Sequence, residues 1–317
     1  MIRGKNYSIM VRKKVCIVVA THKGGNLLLE CIVSVINFTK YKNYKLVIVD
    51  DYPNDENLKV YYRRKPKKLK VIFLKKHESA SYARNLGIEY SILKEKAEYI
   101  IFLDNDIKIV DNNWINKLVK IMEIYKEIGI LAPIIYTPIG YQTFTKEEVQ
   151  FVDYVPSACI IVRRSVIEKI GGFDPGYWPL GNEDPDFCNR VKLAGYKIAV
   201  TNATKVLHQT TSKKRISIYW SFIHTKNYVR YILLNLREKN FYEIFSLLVI
   251  RKNFSSSFRP SNLIFVPDWY RRLIFLPLAI LINLFSIREI LKLRRDRTGF
   301  HFLNQRIKIS DERKYKA

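Results

Sequence analysis

Three apolar runs in the first 106 residues each stop at a turn or at carboxylates, and this repeated stop limits the possible folds. Val15 to Ala20 gives way to Thr21-His22-Lys23-Gly24-Gly25-Asn26. Lys45 to Val49 gives way to Asp50-Asp51, and Tyr99 to Leu103 gives way to Asp104-Asn105-Asp106. Short apolar runs bounded by polar residues read as strands buried on both faces. Leu27 to Phe38 and the stretch opened by Ser79 carry helical patterns, and Val71 to Leu74 reads as a further strand. This alternation predicts an α/β fold, a mainly parallel sheet flanked by helices on both faces. Ligands bind such sheets at the carboxyl ends of the strands, where the acids fall.

Asp104 and Asp106 stand two residues apart and can face one cation. Hard oxygen ligands of this kind suit Mg²⁺ or Mn²⁺ shared with substrate phosphates. A lone Asp-x-Asp is common, so its weight comes from the rest of the chain. Asp50 and Asp51 are placed to accept hydrogen bonds from a base or ribose, or merely to end a strand. Arg84, one turn into the helix after Ser79, can meet an anion at the same edge. A second acidic cluster, Trp178-Pro179-Leu180-Gly181-Asn182-Glu183-Asp184-Pro185-Asp186, precedes a helix running to Ala194. Asn182 or Asp184 is a natural cap for that helix. Residues 136–150, with Pro138 and Gly140, read as irregular. Val149 to Val155 reads as strand-like, and a strand is expected to begin over Ile198 to Thr201. His208 follows the apolar pair Val206-Leu207, where a structural histidine is commoner than a ligand.

The 55 Lys and Arg against 29 Asp and Glu give a formal charge of +26, which calls for an anionic partner. No nucleic-acid-binding motif accompanies the charge, so nucleic acid is the weaker candidate against phosphorylated small molecules or an acidic membrane face. Cys16, Cys31, Cys159 and Cys188 lie within apolar patterns without C-x-x-C spacing and read as buried thiols of a reducing compartment.

In their order, Val18-Val19-Ala20-Thr21, Val47-Ile48-Val49-Asp50-Asp51, Ala83-Arg84-Asn85-x-Gly87, Phe102-Leu103-Asp104-Asn105-Asp106, Gly171-Gly172-Phe173-Asp174, Gly181-Asn182-Glu183-Asp184, Leu193-Ala194-Gly195-Tyr196 and His208 resemble family-2 glycosyltransferases of the GT-A, Rossmann-like fold. The resemblance spans about residues 14–210. It implies inverting, metal-dependent transfer of a sugar from a nucleotide-diphosphate sugar to a hydroxyl of a glycan, glycolipid or protein-glycan acceptor. By that resemblance Thr21, Asp51, Arg84 and Asp104 hold the nucleotide sugar. Asp104, Asp106 and His208 hold Mg²⁺ or Mn²⁺, with Asp106 the more direct ligand. Glu183 and Asp184 supply the catalytic base, with Asp184 preferred, and Trp178 lies on the acceptor side. Tyr52-Pro53 departs from the small residues usual after the second strand. A nucleotidyltransferase of similar fold and a basic nucleic-acid-binding protein are the alternatives.

Residues 1–14 read as a basic arm, 15–211 as the catalytic domain and 212–317 as a helical, basic extension. The last carries 22 Lys and Arg against 7 Asp and Glu. Helices are expected over Ile216 to Leu236 and Phe241 to Ile250. Leu273 to Phe285 is almost wholly apolar, yet as a helix it spans only about 20 Å, short of the roughly 30 Å hydrocarbon layer. With Arg271-Arg272 before it and Arg288, Lys292, Arg294, Arg295 and Arg297 after it, an interfacial segment on an anionic surface is expected. A cytoplasmic chain, peripheral on the cytoplasmic face of a membrane, follows from that expectation.

Overall fold

The computed structural model describes residues 13–52, 56–64, 66–209, 218–235 and 269–295. The alternation read from the sequence forms β1 (Val15–Thr21), α1 (Gly25–Phe38), β2 (Tyr44–Asp50), α2 (Glu56–Arg63), β3 (Leu69–Phe73), α3 (Ala80–Leu93) and β4 (Tyr99–Leu103). These four strands are parallel in the order β3-β2-β1-β4. The chain continues as β5 (Ile107–Ile109), α4 (Trp114–Ile124), β6 (Ile128–Thr137), β7 (Gly140–Thr143), β8 (Gln150–Val152), β9 (Cys159–Arg163), α5 (Arg164–Ile170), α6 (Glu183–Leu193) and β10 (Lys197–His208). The second half of the sheet is mixed. β9 runs antiparallel to both β4 and β6, β10 pairs parallel with β6, and β5 closes that edge antiparallel to β10.

The period-2 alternation of the strands divides the core. Ile17, Val19, Ile101 and Leu103 face one layer with Leu28 and Ile32 of α1 and Trp114 and Leu118 of α4. Val18, Ile100 and Phe102 face the other, with Ile88 of α3, Ile167 of α5 and Phe187 of α6. Each fully buried aliphatic or Phe side chain contributes about 1.5–3 kcal/mol. α3 lies close enough to β1 that a Cβ on Gly87 would stand 2.2 Å from Val18 Cγ1. That close approach explains a glycine inside the helix. The four cysteines are buried and unpaired.

One local reading differs from the structure. Residues 136–150 are not wholly irregular: Gly140, at φ +132°, turns β7 back antiparallel onto β6. The strand-like stretch at 149–155 supplies β8, which pairs with β10. The strand that begins over Ile198 to Thr201 runs on to His208 as β10, with a register shift between Thr201 and Lys205.

Beyond residue 217 the described helices are α7 (Ile218–Asn235), α8 (Trp269–Phe285) and α9 (Ile287–Arg295). The helix expected over 241–250 and most of the arm expected over 1–14 lie outside the described residues. α7 packs on the catalytic layers through Tyr177, Tyr228, Tyr231 and Ile232, joined by Ile290 of α9. Leu276 and Ala279 of α8 meet Val229 of α7, and Asn283 donates to the Lys226 carbonyl at 3.0 Å. The opposite side of α8 is exposed at Ile274, Leu278, Leu281 and Phe285, with Phe285 85% exposed. Among the described residues no single helix is long and apolar enough to cross a membrane. Ile274–Phe285 and Ile287–Arg294 form a pair bent by 74°.

Candidate active site

The acids at 104–106 and 183–184, about eighty residues apart in sequence, meet through one guanidinium. Arg84 Nη2 donates to Asp104 Oδ1 at 3.2 Å and Nη1 to Glu183 Oε1 at 3.2 Å, with Asp184 Oδ1 3.7 Å away. Burial works against the Arg84 charge, but Asp184, Asp104 and Glu183 more than offset it and hold it protonated. α3 delivers Arg84 to the carboxyl edge because Ser79 caps the helix, accepting from the Tyr82 N–H at 3.1 Å. The next residue, Asn85, locks the loop before α6. Its amide donates to the Phe173 carbonyl and accepts from the Phe173 N–H, both at 2.8 Å.

Beneath this loop Phe173 stacks on Phe187 at 4.4 Å and meets Phe102 edge-on at 5.0 Å. Such pairs contribute about 0.5–1.5 kcal/mol each beyond their buried area. Arg190 is buried under the same loop, bonded to Asp186 Oδ2 at 2.9 Å and to the Ile170 and Gly172 carbonyls. The motifs spread along the sequence are therefore one packed unit.

Glu183 and Asp184 open α6 but play different parts. Asn182 occupies the N-cap position without a side-chain cap bond, and Asp184 does not cap the helix either. Asp184 instead accepts from Ser157, from Oγ at 2.5 Å and from the N–H at 3.2 Å. Glu183 accepts from the Gly181 N–H and from Arg84. Burial raises the Asp184 carboxyl above the ordinary range, opposed by Arg84 and Ser157. Burial and the Asp184 charge raise Glu183. Both acids thus hold a proton more readily than free carboxylates while remaining beside a fixed cation.

Asp104, Asp106 and His208 offer one ligand atom each, all within 4.8 Å of one another. β5 makes this possible. It turns the chain after Asp106 and pairs Ile107 with His208 of β10, which sets His208 Nε2 3.0 Å from Asp106 Oδ1. The other ring nitrogen meets Gln142 Oε1 of β7 at 2.8 Å. With Nδ1–H donating there, Nε2 would give its lone pair to an ion held between it and the acids. Two carboxylates and one imidazole fit Mn²⁺ or Mg²⁺ chemically, the nitrogen favouring Mn²⁺.

On the far side of Arg84, Thr21 accepts from Asn105 Nδ2 at 2.9 Å, and Asp51 is buried beside it, its N–H donating to the Thr21 carbonyl. His22 and His77 each place Nδ1 2.7 Å from an Asp51 oxygen. Trp178 is 43% exposed, its ring 6.1 Å from that of His77. The residues selected from sequence are therefore neighbours along one edge. Ser157, Gln142, His22 and His77 were not selected, because each acts on a residue tens of positions away and carries no local signature.

Residues 16–154 match the model described as glycosyl transferase family 2, and residues 154–215 match the N-terminal domain of galactosyltransferase. The chain carries a family 2 glycosyltransferase domain. Poly(ribitol-phosphate) β-N-acetylglucosaminyltransferase TarP of Staphylococcus aureus is 42% identical over 98 residues, 30% of this chain and 28% of TarP. Among solved structures, S. aureus TarS 1–349 in complex with UDP-GlcNAc superposes with TM-score 0.59 at 17% identity, over 84% of this chain and 80% of that one. GalNAc-T7 with UDP, GalNAc and Mn²⁺ gives TM-score 0.57 at 20% identity, over 70% and 48%. The glycosyltransferase domain has their GT-A fold. The chain spans less than a third of TarP's length and about half that of the GalNAc-T7 chain. Neither a nucleotidyltransferase nor a nucleic-acid-binding protein is favoured by these matches.

Proposed function

We propose that this chain transfers a sugar from a nucleotide-diphosphate sugar to an acceptor hydroxyl with inversion. The observation that carries this reading is the joining of Asp104 to Glu183 and Asp184 through Arg84. A single displacement needs positive charge where the diphosphate leaves and a carboxylate where the hydroxyl arrives. Thr21 and Asp51 bind the nucleoside, and Arg84 and Asp104 orient the diphosphate. Asp184, held by Ser157, takes the proton as the acceptor oxygen bonds to the anomeric carbon and the bond to the diphosphate breaks. Glu183 positions Arg84, and Trp178 forms an acceptor wall. Asp104, Asp106 and His208 would hold Mn²⁺ or Mg²⁺, whose chemistry is to neutralise the leaving diphosphate. The Mn²⁺ and UDP in the GalNAc-T7 structure support that assignment.

A glycan, glycolipid or protein-glycan acceptor fits this chemistry. The apolar outer face of α8, beside exposed Arg288 and Lys292, fits a peripheral position on an anionic, cytoplasmic membrane face. The test is a thermal-shift screen of UDP, GDP and other nucleoside diphosphates with and without Mn²⁺, followed by transfer assays of Asp106→Ala and Asp184→Asn. Metal-dependent stabilisation by one nucleotide and a loss of at least a hundredfold in transfer by both folded variants are expected. Full turnover by either variant removes its assigned role.

A further inference from the structure

Three consecutive strand ends bring together a second set of ligand atoms, apart from Asp104, Asp106 and His208. His22 follows β1, Asp51 follows β2 and His77 lies between β3 and α3. His22 Nδ1 is 2.7 Å from Asp51 Oδ1, and His77 Nδ1 is 2.7 Å from Asp51 Oδ2. The three ligand atoms lie within 4.8 Å of one another. The Asp51 side chain is 4% exposed, whereas His22 and His77 are 38% and 42% exposed. The imidazoles are tilted over one another with centroids 4.0 Å apart, so both Nδ1 atoms converge on the carboxylate from the solvent side. The Glu78 N–H also donates to Oδ2, at 3.3 Å. Neighbouring lysines are turned elsewhere: Lys23 lies over the Tyr52 ring at 4.9 Å, and Lys76 pairs with Glu78 at 3.2 Å.

We propose that His22, Asp51 and His77 form a second metal site, suited to Zn²⁺ or another borderline transition-metal ion rather than Mg²⁺. Two imidazoles and one carboxylate, with room for a solvent or substrate ligand, are a common three-residue zinc donor set. Imidazole-rich sites select against Mg²⁺, which takes oxygen ligands and keeps its waters. The buried carboxylate supplies the negative charge that an ion needs on leaving water. The hydrogen bonds seen here have the form of the Asp106–His208 contact at the other site. A bound ion takes the Nδ1 lone pairs, each neutral ring then carrying its proton on Nε2. Such an ion ties the loops after β1, β2 and β3 to one point, and it competes with the proposed nucleoside contact for the Asp51 carboxylate.

The ion-binding readout uses no nucleotide, so it stands or falls apart from the transfer reaction. Full-length protein is titrated with Co²⁺, read by visible absorption, and with Zn²⁺, read by calorimetry and thermal shift. The wild type is expected to bind two ions and His208→Ala one, with Zn²⁺ raising the melting temperature of that variant. Adding His77→Gln to His208→Ala is expected to weaken the remaining ion at least a hundredfold, and adding His22→Gln as well to abolish the thermal shift, circular dichroism being unchanged. A folded His208→Ala variant that binds no Co²⁺, or binding unaffected by the His22 and His77 changes, overturns the proposal.

Discussion

Ser157 shows how one small side chain sets the properties of a catalytic candidate. Its Oγ–H and N–H both reach Asp184, and both lower a carboxyl that burial raises. In Ser157→Ala the hydroxyl contact is lost, so Asp184 should keep its proton to higher pH. The acid limb of the kcat profile is expected to move upward, and kcat near neutral pH to fall about tenfold to a hundredfold while donor KM changes little. Glu89 of α3 gives a separate prediction about stability. Burial raises its carboxyl from 4.5 to about 7, and its Oε2 has no hydrogen-bond partner among the described residues. The folded state therefore binds this proton more tightly than the unfolded chain does. The stability from this group is complete below pH 4.5 and is lost as the pH rises through about 7. Glu89→Gln is expected to flatten that slope and to add about 3 kcal/mol at about pH 8, read from urea unfolding.

Elements were more legible than contacts. Apolar runs ending at Thr21, Asp50-Asp51 and Asp104 announced β1, β2 and β4, and Ser79 announced the start of α3. β7 was missed because its residues, Gly140 to Thr143, carry no apolar alternation and owe their pairing to β6. That omission hid Gln142, which orients His208. The convergence of Asp104 with Glu183 followed from the order of motifs, since no spacing rule reaches across that gap, whereas Ser157 gave no sign of its role. α7 was read as a helix, but its attachment was not. Arg230 holds Asp174 through Nε at 2.9 Å and Nη2 at 3.0 Å, with both side chains almost fully buried. Arg230→Ala leaves the Asp174 charge buried without its cation and is expected to cost about 3–5 kcal/mol. Chemical denaturation measures the loss, and a matching fall in transfer would show that the loop depends on α7.

At the scale of the whole molecule, the proposed membrane position rests on a charge of +26 and the exposed side of α8. Ile274, Leu278 and Leu281 form a stripe at helical spacing, opposite the stripe of Leu276, Ala279 and Asn283 turned to α7. Replacing Ile274 and Leu281 by Glu should leave the α7 contact intact. It is expected to reduce flotation with anionic vesicles at least tenfold, and raised salt should weaken the wild type in the same assay. Flotation unchanged by either treatment would refute the proposed membrane position.

At residues 178 and 180 the hydrogen bonds from α7 fall on main-chain atoms. Lys226 donates to the Trp178 carbonyl at 2.7 Å, and Asn227 donates to that of Leu180 at 3.0 Å. Carbonyl oxygens are common to every residue type, so new side chains at 178 and 180 would inherit the same anchorage. Descendants of this gene could therefore trial different partners for the incoming alcohol without first rebuilding the frame that presents them.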